Sequence, residues 1–226
     1  VVVCTAGEGG ALNADGEYLQ TSEHAPLRAA GFAVLTVDHR GAPGHGADFT
    51  AAADMGGRDV DDVLAAARHL ATLPEVDQTR ISVMGTSRGG YEALCSLVRE
   101  HAPWHRAVLM MGLFDLEIVV AAERADPGSV IPRREGQDAS DLAAHFDAPG
   151  RRPLDHLDRL AAPLLIVHGD ADSVVPDARA RDLAARARRA GASAELLIAP
   201  GLAHDSMRAD SRWESIWPEV VRFLRE

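Results

Sequence analysis

Lysine is missing altogether: all 23 basic residues are arginine. Mechanisms that need a catalytic lysine, such as a Schiff base or a serine and lysine dyad, are thereby excluded, and so is the lysine of a Walker-type phosphate loop. Positive charge is also in deficit, with 23 basic residues against 34 acidic ones and a formal net charge of −11. Nucleic acid is bound by clustered positive charge that releases counterions, so it is not an expected partner. Cysteine is nearly missing, with Cys4 in an apolar run and Cys95 inside a helical pattern. Both read as small buried hydrophobes rather than a disulfide or a reactive pair. The histidines show neither HExxH nor another ligand spacing, so no metal and no other cofactor is expected. No run approaches the roughly 18 apolar residues of a membrane-spanning helix, which removes a membrane partner. No signal peptide is evident, and the cytoplasm is the expected compartment.

What is present is a 226-residue chain, 46% hydrophobic and 25% charged, in the range of one α/β domain with its own core. Apolar β-branched runs at 1–5, 32–38, 80–85, 107–111, 164–169 and 195–199 read as strands. Segments of helical period at 19–30, 55–72, 88–100, 178–190 and 213–224 read as helices between them. That alternation predicts βα units, hence a mostly parallel central sheet flanked by helices. Gly31 and Gly191 stand where helix C-caps belong. The segment 115–163, punctuated by Pro127, Gly128, Gly136, Pro149, Gly150 and Pro153, reads as an insert of loops and short helices. Two accounts of it stand side by side, an overhang above the site and a plain surface excursion. Its arginine pairs, Arg133 with Arg134 and Arg151 with Arg152, are candidates for holding a substrate carboxylate; solvated surface charge is the simpler account. Trp213 and Trp217 read as the inward face of the last helix.

Three elements carry chemistry. Ile81 to Met84 form an apolar strand, Gly85, Thr86, Ser87, Arg88 and Gly89 form a GxSxG, and an amphipathic helix follows. A nucleophilic serine projects best from a sharp turn between strand and helix, with glycines admitting the neighbouring backbone and the helix N-terminus favouring negative charge. Next, the apolar run Leu164 to Val167 leads into an acidic loop holding Asp170 and Asp172, and both compete for the place of a carboxylate at the end of a strand. Asp170 has the rival explanation of shaping its own turn. Last comes His204 in the loop Pro200 to Asp205, between the final strand and the final helix. Serine, aspartate and histidine in this chain order are the order of α/β hydrolases rather than of chymotrypsin or subtilisin.

Together these residues resemble the catalytic domain of the prolyl oligopeptidase family, and they are also similar to dienelactone hydrolases. The resemblance runs through nearly the whole chain: Asp38 to Gly46 after a core strand, Asp59, Val60, Asp62 and Val63 in the next helix, GTSRGGY at the turn, Pro163 to Gly169 with Asp172 and Pro176, and Gly201 with His204. It implies an α/β-hydrolase fold, and it selects Asp172, four residues after His168, as the acid. It makes the Arg88 backbone N–H the first oxyanion donor and assigns the second to the backbone of Ala6 or Gly7, or to the Thr5 hydroxyl. Thr5 stands where relatives carry an aromatic residue or histidine. That departure bears on peptide cleavage, because amides are the harder substrates and oxyanion stabilisation is usually the largest single contribution. The resemblance further implies two strands ahead of the first one here and, in the peptidases, a β-propeller, so the chain reads as a fragment of a longer protein or, as the second choice, a small hydrolase without a propeller.

The expectation is a serine hydrolase cleaving peptide or ester bonds in a peptide or small-molecule substrate. Ser87 forms the acyl-enzyme, His204 is the general base and Asp172 orients it. Two alternatives are a carboxylesterase or dienelactone hydrolase-like enzyme acting on a small ester or lactone, and a noncatalytic scaffold on the same fold. The sequence specifies no oligomeric state.

Overall fold

The strands at the centre of the sheet carry apolar residues continuously rather than alternately, the mark of strands covered on both faces. The computed structural model describes residues 2–5, 24–114, 120–121, 125, 145–148, 150–204 and 211–226. Its strands are β1 (Val2–Thr5), β2 (Val34–Val37), β3 (Ser82–Thr86), β4 (Ala107–Met110), β5 (Leu164–Gly169) and β6 (Ala194–Ala199). Its helices are α1 (His24–Ala29), α2 (Ala47–Ala51), α3 (Arg58–Leu70), α4 (Arg88–Leu97), α5 (Ala178–Arg189) and α6 (Trp217–Arg225). The six strands lie in the order β2-β1-β3-β4-β5-β6, and every pairing is parallel.

Side chains of successive strand residues go to opposite faces. Ala107, Leu109, Leu164 and Ile166 therefore join Val60, Val63, Leu94 and Leu183 in the core beneath α3, α4 and α5. Val108, Met110, Leu165 and Val167 join Leu27, Trp213, Trp217 and Phe223 in the core beneath α1 and α6. Both tryptophans thus face inward as their spacing suggests. All ten residues of α4 are buried, since the helix is enclosed by β3, β4, α3 and the 3-10 turn Pro153–Arg159.

The order in which strands are added reverses at β1: β2 is laid on one side of it, β3 and its successors on the other. In open parallel sheets the crevice for ligands forms outside the carboxyl ends of the strands at such a reversal. The C-terminal ends of β1 and β3 meet there, with Thr5 in register with Gly85.

Gly31 and Gly191 do end helices. At α5, Ala192 N–H reaches Ala187 O and Gly191 N–H reaches Arg188 O, with Gly191 at φ 92°; this is the left-handed closure that glycine adopts without penalty. The helix expected over 213–224 is instead a 3-10 turn, Ser211–Ser215, followed by α6. Pro218 accounts for the break: it has no N–H to donate and belongs in a first turn. The helix expected from 55 starts at Arg58, because Gly56 at φ 76° and Gly57 precede it. The one expected over 88–100 stops at Leu97, and α2 was not expected at all. Residues 19–23 and most of 115–144 lie outside the described residues. Among the described residues no helix is long and apolar enough to cross a membrane.

Candidate active site

The turn from β3 to α4 holds Ser87 at φ 53°, ψ −120°. This backbone state is rare for a residue with a Cβ, and it aims the side chain out of the sheet's edge. Neighbouring strands pin it. Ser87 N–H donates to Met110 O at 2.9 Å, and Ser87 O accepts from Leu113 N–H at 3.2 Å and Gly90 N–H at 3.0 Å. Gly90 is where crowding forbids a side chain: a Cβ there would sit 2.9 Å from Gly112 Cα and 3.3 Å from Gly85 O.

The loops after β5 and β6 lie flat against each other. A Cβ on Gly169 would fall 2.0 Å from Leu202 O, and Ala171 N–H donates to that same oxygen at 3.2 Å. Asp170 belongs to this seam, its Oδ1 accepting from Gly201 N–H at 2.5 Å. Asp170 therefore fastens the loop that carries His204, while Asp172 is the carboxylate that meets the histidine.

His204 Nδ1 lies 2.7 Å from Asp172 Oδ2, and His204 Nε2 lies 2.9 Å from Ser87 Oγ. A carboxylate can only accept, so Nδ1 bears the proton and Nε2 presents its lone pair to the serine hydroxyl. Asp172 is itself buried and braced. Its Oδ1 accepts from Val174 N–H at 2.9 Å and Val175 N–H at 2.7 Å, and its Oδ2 lies 3.3 Å from His168 Nε2. Burial pushes this carboxyl up, but the hydrogen bonds from His168, His204 and Val175 N–H outweigh it and hold Asp172 well below the usual carboxylate range. His168, only a landmark in the sequence, is a fully buried brace that also donates Nε2–H to Val175 O at 2.8 Å.

Arg88 opens α4, and the first N–H groups of a helix have no intrahelical acceptor. Its backbone thus stands beside Ser87 as the resemblance implied. Ala6 and Gly7 lie outside the described residues; of Thr5 only the backbone is described, at the end of β1.

Sequence reasoning missed where the Arg88 side chain goes. Arg88 Nε meets Glu92 Oε1 at 2.7 Å, Arg88 Nη2 lies 3.5 Å from Asp59 Oδ2, and His39 Nε2 lies 3.1 Å from Glu92 Oε2. All four residues are buried. The signal available was the spacing of Arg88 and Glu92, four apart and so on one helix face. His39, Asp59 and Glu92 could each offer a ligand atom within 4.8 Å of the others, but the guanidinium already supplies their countercharge. Arg151, for which solvated surface charge was the simpler expectation, is instead a half-buried partner of the core. Its Nη2 is tied to Asp54 Oδ1 at 2.7 Å and its Nη1 donates to Met55 O at 2.8 Å, which anchors the end of the insert. Arg152 is exposed and paired with Asp147 and Asp155, while Arg133 and Arg134 lie outside the described residues. Cys95 is a buried free thiol, as its position in a helical pattern suggested.

The sequence profile of the prolyl oligopeptidase family matches residues 18–226. The chain belongs to the prolyl oligopeptidase family. It is 28% identical over 187 residues to YuxL, an uncharacterized peptidase of Bacillus subtilis (strain 168), a match that takes in 80% of this chain and 28% of that protein. It is 26% identical over 209 residues to the acylamino-acid-releasing enzyme of Homo sapiens, covering 87% of this chain and 28% of that enzyme. A solved puromycin-hydrolyzing peptidase of Mycobacterium tuberculosis superimposes with a TM-score of 0.79 at 24% identity, over 99% of this chain and 34% of that one. The chain thus has the α/β-hydrolase fold of serine-type peptidases in this family, and it spans less than a third of the length of these two sequence relatives.

Proposed function

We propose that these 226 residues form a catalytic domain that cleaves peptide bonds through an acyl-enzyme on Ser87. The observation that carries the reading is the continuous chain of contacts from Ser87 Oγ to His204 Nε2 at 2.9 Å and from His204 Nδ1 to Asp172 Oδ2 at 2.7 Å. In the first half-reaction Ser87 attacks the scissile carbonyl while His204 Nε2 takes its proton; His204 then protonates the departing amine. Asp172 keeps the required tautomer and stabilises the imidazolium. The oxyanion accepts from Arg88 N–H at the positive end of α4, with a second donor from Ala6 or Gly7. Water, activated by His204, releases the acyl group. No cofactor takes part in these steps. A peptide substrate is supported by the family and by the acylamino-acid-releasing and puromycin-hydrolyzing relatives.

The test is labelling by a fluorophosphonate probe with peptide mapping, run beside turnover of aminoacyl arylamides and matched aryl esters. One adduct on Ser87, absent from Ser87→Ala and His204→Ala, together with cleavage of the arylamides, is the expected result. Ester turnover without amide turnover would replace the peptidase by a carboxylesterase. A folded protein that takes no label would leave a noncatalytic scaffold.

A further inference from the structure

We propose that the buried quartet His39, Asp59, Arg88 and Glu92 is a positioning device for the oxyanion site, in which the Arg88 side chain anchors the peptide whose N–H receives the oxyanion. This rests on the reading of Ser87 as nucleophile and Arg88 N–H as donor, and it adds a role for four side chains that the reaction steps do not use.

The anchoring is geometric. Arg88 is the first residue of α4, so its Cα joins the strained Ser87 to the helix. Its guanidinium reaches in two directions, to Glu92 one turn along α4 and to Asp59 in the first turn of α3. Asp59 is held in turn by Val60 N–H at 2.7 Å and Gly56 N–H at 3.3 Å. Glu92 Oε2 faces His39, two residues beyond the end of β2. Three elements on the carboxyl side of the sheet thus close on the Arg88–Glu92 pair. Rotating or sliding the 87–88 peptide would part buried ion pairs and leave a charge uncompensated, which is strongly disfavoured. A plain hydrophobic residue at position 88 would fill the space without this directional hold. The same peptide lies beside the reacting carbonyl, where a displacement of about 1 Å can cost on the order of 10²-fold in rate.

His39 sets the charge state of the group. Its Nδ1–H donates to Arg40 O at 2.8 Å, so a neutral ring would turn the Nε2 lone pair onto the Glu92 carboxylate 3.1 Å away. Glu92 is held ionised by Arg88 and His39, so the ring that meets it is an imidazolium. Burial pulls the His39 pKa down, but hydrogen bonding and the charge of Glu92 outweigh it and raise it to about 9. Burial first, and then the charge of Glu92, raise Asp59 to about 7. The groups facing the ring are Glu92 and Arg88 from α4 and Asp59 from α3, with the Asp62 carboxylate further off, paired to Arg40 at 2.6 Å. Between those two values the quartet holds two cations and two anions. Above the upper one Glu92 loses one of its two cationic partners and keeps only Arg88, so the tie on the guanidinium is drawn out of balance.

The experiment measures kcat and KM against pH for the wild-type chain, His39→Gln and the double variant Arg88→Met/Glu92→Gln, with folding checked by circular dichroism and thermal melting. Wild type is expected to lose kcat above about pH 9, by the half-titration of His39. His39→Gln, whose amide can still donate to Glu92 but does not titrate, is expected to lose that alkaline limb. The double variant, which removes a buried cation and anion together, is expected to drop kcat about 10- to 100-fold with KM within about twofold, the signature of a misplaced transition-state donor. Retention of the same alkaline limb in His39→Gln, or wild-type kcat in a folded double variant, would overturn the proposal. Ser87→Ala separates the two readings: if it still turns over substrate the nucleophile assignment fails, whereas if it is inactive and the quartet variants behave as wild type, only the positioning role fails.

Discussion

Replacing Ser87 by glycine should make the protein more stable than replacing it by alanine, although both changes abolish activity. Ser87 sits at φ 53°, ψ −120°, a state that a Cβ disfavours. Backbone strain of this kind costs about 1–3 kcal/mol. Alanine keeps the Cβ and hence the strain, while both substitutions lose the hydrogen bond to His204 Nε2 at 2.9 Å. The hydrogen bond therefore cancels in the comparison. Glycine relieves the strain but loses about 0.5–1 kcal/mol more conformational entropy on folding. The difference leaves Ser87→Gly ahead by up to about 2.5 kcal/mol. For a chain of this size that corresponds to a Tm higher by up to about 10 °C. Urea unfolding of the two variants, followed by circular dichroism, reads the gap directly. If Ser87→Ala proved as stable as Ser87→Gly, or more so, the elbow would not be storing strain, and the surrounding contacts from Met110 and Leu113 would have to be reread as relaxed rather than restraining.

Three further outcomes are expected. A His39 pKa raised from 6.5 to about 9 means stability that is fully present below pH 6.5 and lost as pH rises through 9; urea unfolding should show His39→Gln falling short of wild type at pH 6 and drawing level by pH 10, and a gap independent of pH would contradict this. Asp172→Asn should preserve the fold while lowering kcat on the order of 10⁴-fold through the wrong histidine tautomer; Asp170→Ala, which only loosens the seam to Gly201, should cost far less, and equal losses in steady-state assays would reverse the two assignments. Gly90→Ala pushes a Cβ to 2.9 Å from Gly112 Cα, so overpacking should destabilise by about 1–3 kcal/mol and slow labelling of Ser87 by the probe; an unchanged melting curve would show that the helix and strand can part freely.

Much of this architecture could be read from local pattern. The apolar runs of β3, β4 and β5 declared themselves because strands covered on both faces need no polar residue. Glycine marked the ends of α1 and α5 through the left-handed backbone it permits. Pro218 was equally visible, yet a helical period running through it masked the break that its missing N–H imposes. Other decisions left no local trace. Asp170 and Asp172 share a loop and a chemistry, and only the packing of the β5 loop on the β6 loop turns one to Gly201 N–H and the other to His204. Arg151 looks like free surface charge until Asp54, 97 positions earlier, is folded against it. The quartet around Arg88 draws on the end of β2, on α3 and on α4, and of its contacts only the pairing of Arg88 with Glu92 falls within one helix.

By itself, then, the sequence determined the strand–turn–helix that presents Ser87, the order serine, aspartate, histidine, and the alternation that makes a parallel sheet. The first and the last depend on preferences that act over a few residues, and the order is read directly along the chain. The tertiary structure alone decided that His204, 117 positions from Ser87 and 32 from Asp172, meets both at hydrogen-bond distance. That meeting follows from strand order and from two loops sharing a seam, and such long-range contacts are set by how the layers pack rather than by any local period.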